Sequence, residues 1–398
     1  MKVNYFLYLI AVMIFIMGCS SSELEDSLAC IDVTKNYPKK EIILSDIADI
    51  KYVHLETENK DYLYKGKIRY ISENNIIITD RYTGSILFFS ANGKAKSRFN
   101  HFGLGPEEYT TIWFQMVYDE SEDDLFVKCP EKILVYSSIG EYKRSFNLPQ
   151  GINAAIFNFD ELSFLGYDSR ILFQKMNISS FEKRSFSTHY RDSSFFRISK
   201  TDGKVLDYIA LSNNDINLAY YISNRTAQTV PIYNRVVRCL EGAFLMNHET
   251  DTVYLYSKNK SLIPIIHKKP LLQKSEPRRI LDNFIDVGQY QYMEVIALCE
   301  DNSINGKFPP KYYIRDKKID ETFIQKLILP DYKGKNLHIS VNNTFFNGKE
   351  TIAHFEFELI ELKEAYRENK LSGKLKELVA TLNEYEDNNV FMFVHFKQ

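Results

Sequence analysis

From Lys67 onward, short apolar runs alternate with turn residues and do not follow the three-to-four spacing of a helix. The runs 68–71, 76–79 and 86–89 lead to Asn92-Gly93 and then to 95–99. Asn-Gly between apolar runs predicts a two-residue hairpin with positive φ at both central positions. The plan then repeats: 116–118, 125–127 and 133–136, a turn at Gly140, and 142–148. Gly93 and Gly140 stand 47 residues apart, as do Ile86 and Ile133. A period of that length holding four short strands predicts a β-propeller blade.

Later copies diverge. A third unit pairs 154–159 and 161–165 with an outer hairpin at 196–198 and Asp202-Gly203, across an insertion rich in Ser, Phe and Arg. A fourth runs 235–240, 243–247 and 252–256, a fifth 290–299, 311–315 and 322–329, and a sixth 337–341 and 351–358. Between 359 and 386 apolar residues recur at helical spacing (Leu371, Leu375, Leu378, Val379, Leu382), which predicts one amphipathic helical insertion. The stretch 390–396 is apolar at nearly every position and reads as a strand covered on both faces. A ring must pair its ends, since an open blade leaves unsatisfied edges. This strand is therefore expected to complete a blade begun near 41–55. The fold class is all-β, a six-bladed β-propeller closed by its C-terminal strand, with residues 41–398 as one domain.

The first residues read as an address. Lys2 precedes an apolar run from Tyr5 to Met17 that is too short to cross the roughly 30 Å of bilayer hydrocarbon and fits a signal peptide over 1–18. Ile16-Met17-Gly18-Cys19 resembles the bacterial lipobox, in which the cysteine is lipidated and becomes the new N-terminus. Lipid chains contribute about 0.8 kcal/mol per buried CH₂, so Cys19 would anchor the protein without a membrane span. Residues 19–40 are polar and read as a flexible tether, with folding expected from about Glu41. Ser20 is compatible with outer-membrane sorting, and Glu23, Glu25 and Asp26 resemble the acidic patch that sends lipoproteins to the cell surface in Bacteroidetes.

Composition narrows the function classes. At 44% hydrophobic and 26% charged the chain is of globular type. Fifty basic against fifty-two acidic side chains give a net charge of -2, which leaves no positive field for nucleic acid. The 27 Tyr and 28 Phe favour strands and are read as packing between blades before carbohydrate stacking. Cys30, Cys129, Cys239 and Cys299 lie too far apart for a CxxC motif or half a zinc site, and are expected as buried thiols. The eight histidines show no HxH, HxxxH or HExxH spacing, and no P-loop, GxGxxG, GxSxG or SxxK occurs. No metal or cofactor is expected.

Several motifs carry a family resemblance. The lipobox, the loop 103–109 (Gly-Leu-Gly-Pro-Glu-Glu-Tyr, resembling G-x-G-P-G-E-Y), the Asp251-Thr252-Val253-Tyr254 strand entry and the closing strand 389–397 resemble the six-bladed β-propeller lipoproteins of Bacteroidetes, related in architecture to NHL-repeat propellers. Two positions depart from that pattern: Glu107 replaces the third Gly, and Val390 stands where Pro is common. The crossover loop makes His101, Glu108 and Tyr109 candidate ligand contacts at the tunnel mouth. Asp80 with Arg81 closes a strand as the corresponding NHL aspartate does. For each, the structural role in turns and packing is weighed above the ligand role. The resemblance and the missing reactive motifs favour a non-catalytic platform for a glycan, peptide or envelope protein. The alternative is a hydrolase or lyase acting on glycan or another polymer through residues converging at the mouth.

Overall fold

Antiparallel hairpins follow one another around the ring, and the computed structural model describes residues 28–57, 60–112, 116–149, 154–168, 185–187, 195–211, 217–219, 221–223, 226–228, 236–246, 251–298 and 310–397. The leader, Cys19, the acidic patch and Cys299 lie outside the described residues. Blade 1 comprises Gly66–Ile71, Asn75–Asp80, Ser85–Ser90 and Ala95–Phe99, and blade 2 comprises Met116–Asp119, Asp124–Lys128, Lys132–Tyr136 and Tyr142–Asn147. Blade 3 is Ala154–Asn158, Ser163–Asp168, Phe195–Ser199 and Val205–Ile209. Blade 4 is Val236–Cys239, Gly242–Leu245, Thr252–Ser257 and Leu262–Lys269, and blade 5 is Arg278–Val287, Tyr290–Leu298, Lys311–Asp316 and Glu321–Ile328. Blade 6 takes Thr344–Phe346, Thr351–Phe357 and Val390–Phe396 from the C-terminal region and β3 (Ala48–His54) from the N-terminal one.

That last pairing closes the circle as expected. It runs antiparallel from Ala48 opposite Phe396 to His54 opposite Val390. Upstream of β3 the chain adds two strands, the first inside the expected tether 19–40 and the second straddling its end. β1 (Ala29–Asp32) pairs in parallel with Leu262–Lys269 at the rim of blade 4. β2 (Lys39–Ile43) pairs in parallel with Glu321–Ile328 at the rim of blade 5. Ordered structure thus begins well before Glu41, because Ile31 and Ile42 fill apolar positions under the rim.

Consecutive strand residues point to opposite blade faces, so each strand supplies two interfaces. Ile77 and Phe88 pack toward blade 2 with Tyr118, Leu134 and Tyr136. Their neighbours Ile76, Ile78, Leu87 and Phe89 pack toward blade 6 with Val53, Phe391 and Phe393. Six such apolar clusters occupy the six interfaces of the ring. Edge-to-face ring pairs bind them: Phe126 with Phe164 between blades 2 and 3, and Phe244 with Phe284 between blades 4 and 5, each at 4.9 Å. Each pair adds about 0.5–1.5 kcal/mol beyond burial.

Three local expectations are corrected and one is refined. The Asn92-Gly93 hairpin is a three-residue loop, 91–93, in which Gly93 alone has positive φ (+89°) and the ladder shifts between Phe88 and Phe89. Ser90 Oγ accepts from Lys94 N (3.0 Å), and the same serine-led turn recurs at Ser137 and Ser257. This is the type I turn with a bulge, which needs one left-handed residue and not two. The segment 337–341 is no strand but a strap into a short helical turn, and Thr344–Phe346 forms the inner strand of blade 6. The helical insertion is present where expected and consists of two helices, α1 (Leu359–Arg367) and α2 (Gly373–Thr381), separated where Asn369 and Gly373 take φ of 55° and 54°. Cys30 is exposed, whereas Cys129 and Cys239 are buried free thiols.

The topology makes the two faces of the disc unlike. On one, which we call the hairpin face, connections within blades run two to five residues. The other, the loop face, carries the links between blades and the middle connection of each blade, from three to thirty-two residues, including α1 and α2.

Candidate functional site

The loop following blade 1 gathers the sequence-predicted residues and engages them internally. Tyr109 is fully buried; its hydroxyl donates to Gly84 O (2.7 Å) and accepts from His101 N (2.9 Å). His101 Nε2 lies 2.7 Å from Gly140 O, and its ring stacks on Tyr136 at 5.2 Å and 2°. The Tyr136 hydroxyl donates to Glu107 O at 2.6 Å, and Glu107 adopts no positive φ, so the departure from Gly costs nothing here. Glu108 Oε2 accepts from Gly105 N (2.8 Å), and a Cβ at Gly103 would fall 2.0 Å from that oxygen. The loop therefore needs its glycine to let the carboxylate close the turn. Tyr109 is buried away from any ligand, and its contacts make it a pillar between blades.

Asp80 is likewise structural. One of its oxygens accepts from Tyr82 N (2.9 Å) and Thr83 N (3.3 Å), and the other from Lys65 N (3.2 Å). This Asx turn fixes the two residues that follow. Asp251 plays a similar part, accepting from Leu272 N and pairing with the buried Lys268 at 2.5 Å.

Arg81, in contrast, borders a solvent-open cleft of about 450 Å³ on the seam between blades 6 and 1, on the loop face. Tyr64, Lys65, Lys67 and Arg69 come from the entry to blade 1, Arg81 and Tyr82 from its middle connection, and Glu356 and Asn389 from blade 6. The Arg81 guanidinium lies 4.7 Å over the Tyr82 ring and donates to its hydroxyl at 2.6 Å. Arg69 donates to Thr79 Oγ1 (2.9 Å) and Ile112 O (3.3 Å), and burial lowers its pKa. Asn389 Nδ2 donates to Glu356 Oε1 at 2.8 Å. The protein mass around Glu356 raises its pKa, with Lys67 pulling the other way. The Tyr64 hydroxyl is buried without a hydrogen-bond partner.

A second polar cluster was not foreseen. Asn283 and Glu294 pair across blade 5, Tyr312 stands opposite Glu294, and Gln325 follows Ile324, the partner of Tyr313. They form a polar row between blades 5 and 6. The strap 337–343 covers it: His338 stacks on Tyr312 at 4.1 Å and 6°, Ile339 N donates to Gln325 Oε1 (2.7 Å), and Ser340 hydrogen-bonds Glu294. Asn283 Nδ2 donates to Glu294 Oε1 at 2.7 Å. Burial, with the nearby Asp282 charge adding to it, pushes the Glu294 carboxyl up to about 7. Such a group can hold or release a proton near neutrality. The one signal in the sequence was a carboxylate inside the apolar run 290–298. Among the described residues, no three His, Cys, Asp or Glu side chains converge as metal ligands, and no helix is long and apolar enough to cross a membrane.

A family model described as a six-bladed β-propeller, DUF5128, matches residues 20–261. The chain belongs to this family. Its fold is that of a Bacteroides fragilis protein inferred to be exported: 15% identity, TM-score 0.60, covering 94% of this chain and 100% of that one. A member of the DUF4221 family from Bacteroides vulgatus aligns at 11% identity and a TM-score of 0.46, over 88% of this chain and 98% of that one. No curated protein matches. The family assignment and the first of these structures agree with the Bacteroidetes-type propeller that the motifs suggested.

Proposed function

We propose that this DUF5128 propeller is an envelope lipoprotein, anchored to the outer membrane through lipid on Cys19, whose loop face binds a ligand without transforming it. One observation carries the binding reading. The polar residues around the crossover loop are tied to backbone groups, while the face bearing the long connections keeps a solvent-open cleft lined by side chains from both ends of the chain. Rigid scaffold with function on one set of loops is the usual division in such folds. The lipobox and the acidic residues after Cys19 support the anchored location.

The anchor is tested by radiolabelled palmitate. Label is expected in the parent and absent from Cys19→Ala, and label in both would overturn it. The binding reading is tested by a glycan and peptide screen of the full chain in detergent, followed by product analysis of every hit. Retention of unchanged ligand supports it.

A second reading rests on Glu294. A carboxyl poised near 7 beside Asp282 suits general acid or base work on a glycan or another polymer. New reducing ends or unsaturated sugars that vanish in Glu294→Gln would establish it in place of the first.

A further inference from the structure

Arg238 stands on the innermost strand of blade 4, one position before its end at Cys239. Its guanidinium lies 5.2 Å over the ring of Phe346, the last residue of the innermost strand of blade 6. Blade 5 separates those two blades around the ring, so the contact is made across the central channel and not within a blade interface. The short connections 240–241 and 347–350 follow these residues, which places the crossing near the hairpin-face end of the channel.

Three buried cations elsewhere in the ring have a carboxylate at hand. Lys200 meets Asp119 at 2.8 Å, Lys268 meets Asp251 at 2.5 Å, and Arg197 forks onto Asp207. Arg238, itself partly buried, has no such partner among the described residues. Its Nε is buried without a hydrogen bond. The carboxylate whose charge reaches it, Asp160, accepts from Leu162 N (3.0 Å) and Ser163 N (2.7 Å) and faces Arg197 at 3.4 Å. The adjacent Cys239 thiol is pushed up by burial to about 11 and stays neutral. Burial brings the Arg238 guanidinium down to about 10, which leaves it charged at neutral pH. A charge withdrawn from water without a counter-charge is costly, and the face of one aromatic ring offsets only part of that cost. The geometry therefore leaves a place for an anion.

The rim of the channel limits the charge of what it admits. Glu73, Glu120, Glu161 and Glu241 stand in the connections that follow the innermost strands of blades 1 to 4, and Lys349 of blade 6 is paired with Glu73 at 2.9 Å. These carboxylates repel a polyanion, whereas a single negative charge gains most where the low dielectric strengthens its attraction to the guanidinium. A planar carboxylate also matches the guanidinium fork with two parallel hydrogen bonds. We propose that the channel binds a small monocarboxylate, its oxygens on Arg238 beside the Phe346 ring. This is a second site, independent of the loop-face reading above.

The test melts the full chain in detergent, at constant ionic strength, with acetate, propionate, lactate, succinate, phosphate, sulfate or chloride, and titrates each by calorimetry. A monocarboxylate is expected to raise the midpoint by about 3 °C at a hundredfold excess over its Kd, with chloride inert. Arg238→Met should weaken its binding about tenfold or more, and Arg238→Lys, which keeps the charge and loses the fork, by less. Lys374→Ala, an exposed cation on α2, should leave it unchanged. A parent indifferent to every monocarboxylate, tighter binding of succinate, phosphate or sulfate, or an undiminished response in Arg238→Met would overturn the proposal. So would a response that disappears in Arg81→Ala, which would move the anion to the loop-face cleft and leave the platform reading standing. If Arg238→Met does not fold, the parent melts and Arg238→Lys decide the matter.

Discussion

Blade 1 and blade 6 have the same four-stranded plan and opposite histories. Blade 1 is one continuous stretch, 66–99, each strand a few residues from its neighbour. Blade 6 draws β3 from near the start of the chain and its three other strands from residues beyond 343, with α1 and α2 inserted between two of them. Yet the two are packed alike: Phe88 and Phe391 are each 1% exposed. Packing density therefore does not record whether contacts are local or distant in sequence. Closing a loop of several hundred residues costs only slightly more entropy than closing a short one. The difference lies in what each blade supports, since blade 6 alone holds the ring shut.

The most drastic way to break this comparison is to remove 390–398. That deletion leaves β3 and Thr351–Phe357 as bare edges and is expected to exceed the whole stability of a domain, about 5–15 kcal/mol. Loss of a cooperative melting transition by circular dichroism is the outcome to look for. Next come Phe88→Ala and Phe391→Ala, each expected to cost about 3–5 kcal/mol in urea denaturation. A markedly smaller cost at Phe391 would show that the closure is looser than its burial implies.

A smaller effect is expected under the strap between blades 5 and 6. Glu294 holds its proton up to about 7 in the fold against an ordinary value of 4.5. Between those values the folded chain binds more protons than the unfolded one, so stability falls as pH rises, by on the order of 3 kcal/mol across the window. Glu294→Gln should abolish that slope, matching the parent near pH 4 and exceeding it near pH 8. An unchanged slope would place the titration elsewhere.

The smallest effects sit in the turns of the hairpin face. Gly93 has φ +89°, and a Cβ there would lie 2.1 Å from His54 O on β3, so this turn of blade 1 abuts the closing strand. Gly93→Ala should cost about 1–3 kcal/mol. The equivalent turn of blade 4 carries Lys260 at φ 64°, and Lys260→Gly should stabilise by about 1 kcal/mol or less. Opposite signs in thermal melts would confirm that one turn geometry is shared around the ring.

How much was legible follows the same division. The hairpins of blades 1 and 2 declared themselves because their alternation and turn residues are local. The strand Arg278–Val287 did not, since a bulge between Leu281 and Asn283 breaks its alternation with polar residues. Leu262–Lys269 was hidden by Pro264. The apolar strap 337–341 looked like a strand because burial imposes the same residue types on both. Arg81 could be singled out from its position after Asp80, but Glu356 and Asn389, which complete its cleft, are brought there only by ring closure. The Glu294 row depends on pairing across four strands and on a covering segment, and neither is written in any single window of sequence.

The rim strand β1 sets the reach of the molecule. It begins at Ala29, ten positions beyond Cys19, and even a fully stretched chain of that length spans no more than about 36 Å. With the lipid we propose on Cys19, the disc is moored by the edge of blade 4, and the seam of blades 6 and 1 lies on the far side of the ring. A lipid on Cys19 would tie the disc at its blade 4 rim and leave the opposite seam as the part of the ring farthest from the attachment.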